Sequence, residues 1–188
     1  MWNKTSKYAR LRQYYHVRGN ASPTNNKKAV INFATFVENY SSSDFNQIKF
    51  EWNGKHGEEF YDPNYDFRMQ LCKILVPNIQ AVDIKLIRDL YLELAKSSNA
   101  TFGVYVNFHV LGNELLSRST MEYLMDYLEG ASQTMDTYLT SGKLSISKER
   151  AREIEQYINS KLRETISDKE EKLLKEIGKR RFEYLAHR

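Results

Sequence analysis

The chain is short of several things at once. It has one cysteine, Cys72, in 188 residues, so no disulfide forms within it and cysteine usage diagnoses no redox compartment. Three prolines and eight glycines are few for turn-rich β architecture, which leaves a mainly α fold as the expectation. No window approaches the roughly 20 apolar residues of a membrane span, and no apolar signal-peptide core follows the first residues. A soluble, cytoplasmic protein or a virion component is therefore expected. A glycine-rich phosphate loop, paired Cys or His at ligand spacing, and a serine flanked by the glycines of a nucleophile elbow are all missing. The expectation is a non-enzyme with no catalytic residues, no cofactor, no metal and no small-molecule substrate. Acidic residues, finally, are missing altogether before Glu38.

That last absence sets the charge pattern. Residues 1–37 carry +7, residues 38–140 carry −7 and residues 141–188 carry +4. Charge segregated in this way recruits an anionic partner to one end, or lets the basic end of one copy meet the acidic middle of another. With 41% hydrophobic and 28% charged residues the remainder is ordinary for a folded protein, long enough for one core plus an arm.

The basic end is also aromatic. Lys4, Lys7, Arg10, Arg12 and Arg18 are interleaved with Tyr8, Tyr14, Tyr15 and His16. Lys and Arg neutralise phosphates and release counterions while tyrosines lie against sugars or bases, so such an arm tracks a nucleic-acid backbone without reading its sequence. Its composition predicts a helix over 4–18, stopped at Gly19, then a loop with Pro23. A second helix is predicted over about 26–40, opened by Lys27 and Lys28, with Val30, Phe33, Ala34 and Val37 on one face. The two form a basic helix-turn-helix arm, residues 1–43.

Residues 44–146 read as a helical bundle with a small β-hairpin insertion at 47–61. Gln47 to Trp52 alternates apolar and polar, and Asn53-Gly54 is a tight-turn dipeptide. Helices are predicted from Asp62 to Pro77, over 81–97, over 101–116 as a central element buried nearly all round, and from a Ser119…Glu122 capping box to about 140. Leu124, Met125, Leu128, Met135 and Leu139 are expected inward, Met121 as core filler, Cys72 as a buried thiol and His109 as a satisfied core histidine; His56 reads as a turn residue. Residues 147–188 read as a charged helical hairpin, its second helix opening at Ser167-Asp-Lys-Glu170 with Leu173, Leu174, Ile177, Tyr184 and Leu185 inward. Lys179, Arg180 and Arg181 form a second basic cluster, which a solvated helix end explains equally well.

Two stretches carry a resemblance, Ser6-Lys-Tyr-Ala-Arg-Leu-Arg-Gln-Tyr-Tyr and Val104-Tyr-Val-Asn-Phe-His-Val-Leu-Gly-Asn-Glu-Leu-Leu with the helix after Ser119. Together with the arm and bundle order, they resemble the major capsid (coat) proteins of filamentous and rod-shaped double-stranded DNA viruses of archaea, the lipothrixviruses and rudiviruses. The chain differs in its length, in the 47–61 insertion and in its long charged end. The resemblance implies a structural subunit whose N-terminal helices wrap A-form DNA while the bundles, often from two related coat proteins, pack into a helical filament. On that reading Lys4, Lys7, Arg10, Arg12, Arg18, Lys27 and Lys28 contact phosphates, and Tyr8, Tyr14 and Tyr15 line the duplex or the contact between subunits.

Two other readings fit the same residues. A small DNA-binding regulator or phage-type inhibitor uses the arm but stays discrete. A ribonuclease reading rests on Arg181 and His187, whose spacing resembles the Arg…His pair that helical HEPN ribonucleases place across a dimer cleft; here Phe182 stands where a polar residue usually follows the arginine.

Overall fold

The computed structural model describes residues 33–101 and 103–187. The helix predicted over 4–18, the loop after it and the start of the second helix lie outside them, as do all ten expected contact residues between Lys4 and Lys28. The described residues are mainly helical. They form α1 (Phe33–Glu38), α2 (Tyr65–Leu75), α3 (Ile84–Thr101), α4 (Phe108–Arg118), α5 (Leu124–Ala131), α6 (Met135–Ser141), α7 (Lys148–Lys161), α8 (Asp168–Leu173) and α9 (Arg180–His187), with no strand among them.

α3 is the central helix. Leu86, Ile87, Leu90, Tyr91, Leu94 and Ala95 are all buried, a stripe wide enough to pack α4 on one side and α5 on the other. The segment 101–116 was expected in that role but is divided: residues 103–107 are not helical, Val106 is 73% exposed, and α4 begins only at Phe108. Tertiary packing decides the break, since Phe108 stacks on Tyr91 with ring centroids 4.2 Å apart. The stack continues through Tyr127 and Phe182, so α3, α4, α5 and α9 share one aromatic spine. Gly112 and Gly130 make room for it. A Cβ on Gly112 would come within 3.0 Å of Tyr127, and one on Gly130 would collide with the Tyr91 ring.

The hairpin expected at 47–61 does not form. One backbone hydrogen bond, Asn53 to the Tyr61 carbonyl at 3.2 Å, closes the loop, and the Asn53 side chain does the rest by donating to the Glu59 carbonyl and accepting from the Lys55 and Tyr61 amides. Gly54 and Gly57 take the positive φ values the loop requires, 79° and 65°. A two-stranded ribbon with no further sheet to join is marginal. Here Ile48 is instead drawn wholly into the core and Glu93 accepts from the Phe50 amide at 2.7 Å.

Helix starts were legible in part. Ser167 and Glu170 form the expected capping box and Ser147 caps α7. The box expected at Ser119 is absent: Ser119 Oγ donates back to the Leu115 carbonyl, and α5 begins at Leu124. A break at 132–134 follows, and Thr134 with Thr137 caps a separate α6. That break turns α6 so that Met135 and Leu139, expected inward, are 71% and 60% exposed. From Asp168 the chain stays helical to His187 through a π-helical segment, Leu174–Lys179. The wider turn seats Gly178 against Ile158 and Leu128, and it leaves Tyr184, also expected inward, 64% exposed. Ile154, Ile158, Ile177 and Phe182 join the same core as α3.

Candidate nucleic-acid interface

The basic segment meets the body at α1. Phe33 stacks on Phe67 of α2 at 5.2 Å, Phe36 meets the same ring edge-on at 5.1 Å, and the Tyr40 hydroxyl donates to Asp89 at 2.7 Å. Burial and that bond raise the Tyr40 pKa well above its ordinary value. The first described helix and Tyr40 after it are thus packed on α2 and α3.

The body's arginines are mostly engaged inside the structure. Arg68 is fully buried, paired with Asp62 and donating to the Ile48 and Lys49 carbonyls at 3.3 and 3.2 Å. Arg88 bridges Asp89 and Asp126. Arg118 donates to the Ile79 and Val82 carbonyls, closing the 3-10 segment Val76–Ala81. Arg150 does the same for the end of α4, reaching the Leu116 and Ser119 carbonyls at 2.8 Å each. The Arg68, Arg118 and Arg150 forks satisfy carbonyls at the ends of helical segments, whereas Arg88 is held by carboxylates alone.

Arg181 holds the end of α6. Its Nη1 donates to Tyr127 Oη at 2.6 Å and to Ser141 Oγ at 2.9 Å, its Nη2 to the Tyr138 carbonyl at 2.8 Å, and its guanidinium lies 4.8 Å from the Tyr138 ring centre. His187 faces elsewhere, 3.4 Å from Glu155 of α7. Six residues along a helix do not share a face, and the chain does not bring Arg181 and His187 together. Arg181 acts as a structural clamp.

Above that clamp lies a cleft of about 380 Å³ between α6, the turn at 142–144 and α9. Lys143, Arg180 and Arg181 line it with Tyr138 and Tyr184, and no carboxylate does. Sequence reading noticed Arg180 but missed Lys143 and Tyr138. The Thr134…Thr137 spacing was the available signal, because it marks the break that aims α6.

A second, larger groove of about 610 Å³ runs along α4 past His109, Asn113, Glu114 and Arg118. Its polar groups mostly hold loops: Asn113 accepts from the Ser145 amide at 2.8 Å and Glu114 pairs with Arg118. His109, expected as a satisfied core residue, is half-buried with Nδ1 lacking a hydrogen-bond partner among the described residues. The His56 ring packs tilted against Trp52 with centroids 4.7 Å apart, and Cys72 is fully buried, its thiol pushed up to about 12 by burial.

Among the described residues no three His, Cys, Asp or Glu are grouped to hold a metal ion, and no helix is long and apolar enough to cross a membrane. No family model, curated protein or solved structure matches the chain.

Proposed function

We propose that this protein is a structural nucleic-acid-binding subunit, a coat protein of a virion, whose basic arm wraps double-stranded DNA and whose helical bodies assemble into a filament. The observation that carries the reading is the charge pattern: seven Lys/Arg and no Asp/Glu in residues 1–37, entering a body whose own acidic groups outnumber its basic ones. The anchor at Phe33 and Phe36 supports it, since an arm fixed to a rigid body transmits the geometry of a duplex to the packing of subunits. The resemblance to archaeal filamentous-virus coat proteins points the same way, with double-stranded DNA and further copies of this or a related subunit as partners.

The test mixes purified protein with linear duplex DNA at low salt under negative-stain electron microscopy, beside a variant lacking residues 1–19. Regular filaments that vanish with the deletion are expected. Arg10→Gln with Arg12→Gln should weaken binding to all sequences alike and reduce the salt slope by about 1.8. Discrete particles with or without DNA would instead make the protein a regulator or an inhibitor of another protein. RNA cleavage lost on His187→Ala would make it a nuclease.

A further inference from the structure

We propose that the cleft between α6 and α9 is a second nucleic-acid contact, in which Lys143 and Arg180 neutralise backbone phosphates beside the rings of Tyr138 and Tyr184. The proposal rests on the nucleic-acid reading above and extends it from the arm to the folded body.

Three observations carry it. First, the cleft gathers cations that no other group has taken. Arg68, Arg88, Arg118, Arg150 and Arg181 are all held by carboxylates, hydroxyls or carbonyls, whereas the side chains of Lys143 and Arg180 have no such partner among the described residues. Carboxylates stand within a turn of Arg180 along its own helical run, Glu176 four residues before it and Glu183 three after. The cleft lining has none.

Second, the cleft is pre-shaped. Arg181 clamps the Tyr138 carbonyl and covers one face of its ring, so Tyr138 is oriented before anything binds. Tyr184, 64% exposed on the facing helix, supplies a second ring, and aromatic rings beside cations suit a sugar-phosphate strand with its bases.

Third, charge selects the occupant. The +7 arm has the same sign as the cleft and is repelled by it. A second copy also carries carboxylates outside ion pairs among the described residues, Asp66, Glu122 and Asp136 among them, so the DNA-free sedimentation below is the measurement that separates it from phosphate. Phosphate is the occupant we commit to, because the acid-free +7 arm of the same chain suits the same polyanion.

The experiment titrates full-length protein with a labelled linear duplex of random sequence across a salt series, comparing wild type, K143Q/R180Q and R10Q/R12Q, with sedimentation of each protein free of DNA. For two phosphate contacts, K143Q/R180Q should make the slope of log K against log salt shallower by about 1.8, with unchanged sedimentation and an unchanged thermal melt. Should the double variant melt early, the single variants K143Q and R180Q each lower the slope by about 0.9 and carry the same test. An unchanged slope in the cleft variants beside a reduced one in R10Q/R12Q would overturn the cleft and leave the arm standing. An unchanged slope with smaller DNA-free assemblies would overturn it in favour of a second copy as occupant. Absence of duplex binding by the wild type would remove both this proposal and the reading beneath it.

Discussion

Arg181 reaches from the last helix to Tyr127, and Nη1 donates to its hydroxyl at 2.6 Å while that hydroxyl donates on to the Ser141 carbonyl at 2.9 Å. One relay therefore joins α9, α5 and the end of α6. Since Tyr127 also stacks within the aromatic spine, the chain's C-terminal end is part of the core.

Arg181→Gln removes the charged donor and leaves the α6 carbonyl without its partner. A loss of about 1.5–3 kcal/mol is expected, the range for hydrogen bonds involving a charged group. Urea unfolding measures it. Arg181→Lys should fall between, because an ammonium cannot reproduce the planar fork. Equal stability of Arg181→Gln and wild type would show that the relay contributes nothing.

Gly130→Ala should destabilise by about 1–3 kcal/mol through overpacking, because the new methyl collides with the Tyr91 ring, which is fully buried and cannot swing away. Adding Tyr91→Leu to Gly130→Ala should recover part of the loss relative to Tyr91→Leu alone. Additive losses in that thermal-melt cycle would exclude the contact as the cause.

Arg68 and Asp62 form a buried ion pair, with Arg68 also 5.8 Å from the Phe50 ring centre. Asp62→Ala leaves an uncompensated buried guanidinium and should lose about 3–5 kcal/mol. Replacing both partners, Asp62→Leu with Arg68→Met, should lose less than either single change, because no charge is then stranded. A double variant as unstable as the worse single one would overturn this account.

Cys72, Tyr91 and Tyr127 all have pKa values raised by burial, with the Cys72 thiol going from an ordinary 9.0 to about 12. Above pH 9 the unfolded chain loses the thiol proton while the folded chain keeps it. Stability is therefore whole below pH 9 and falls as pH rises towards 12. Urea midpoints measured upward from pH 8 should show the fall, and Cys72→Val should flatten its first part. A Cys72→Val profile parallel to wild type would remove the thiol from the explanation. Native protein at pH 8 should also resist iodoacetamide, reacting only once unfolded.

What the amino-acid sequence determined by itself is local or compositional. The charge division needs no coordinates. Helical character follows from few glycines and prolines with apolar residues at helical spacing, and the Ser147 and Ser167 caps follow from a hydroxyl meeting an amide three residues on, within one turn of chain. Tertiary structure decided whatever depended on distant partners. The run from Gly103 to Leu116 is apolar enough for a central helix, yet stacking of Phe108 on Tyr91 fixed where the helix starts, across a sequence gap that no periodicity records. Met135, Leu139 and Tyr184 have inward-looking spacing, but the break before α6 and the π-helical turn before α9 rotated them outward. The same two irregularities set Lys143 beside Arg180. A basic cleft made from residues almost forty positions apart follows from how the helices pack, and only the folded chain assembles it.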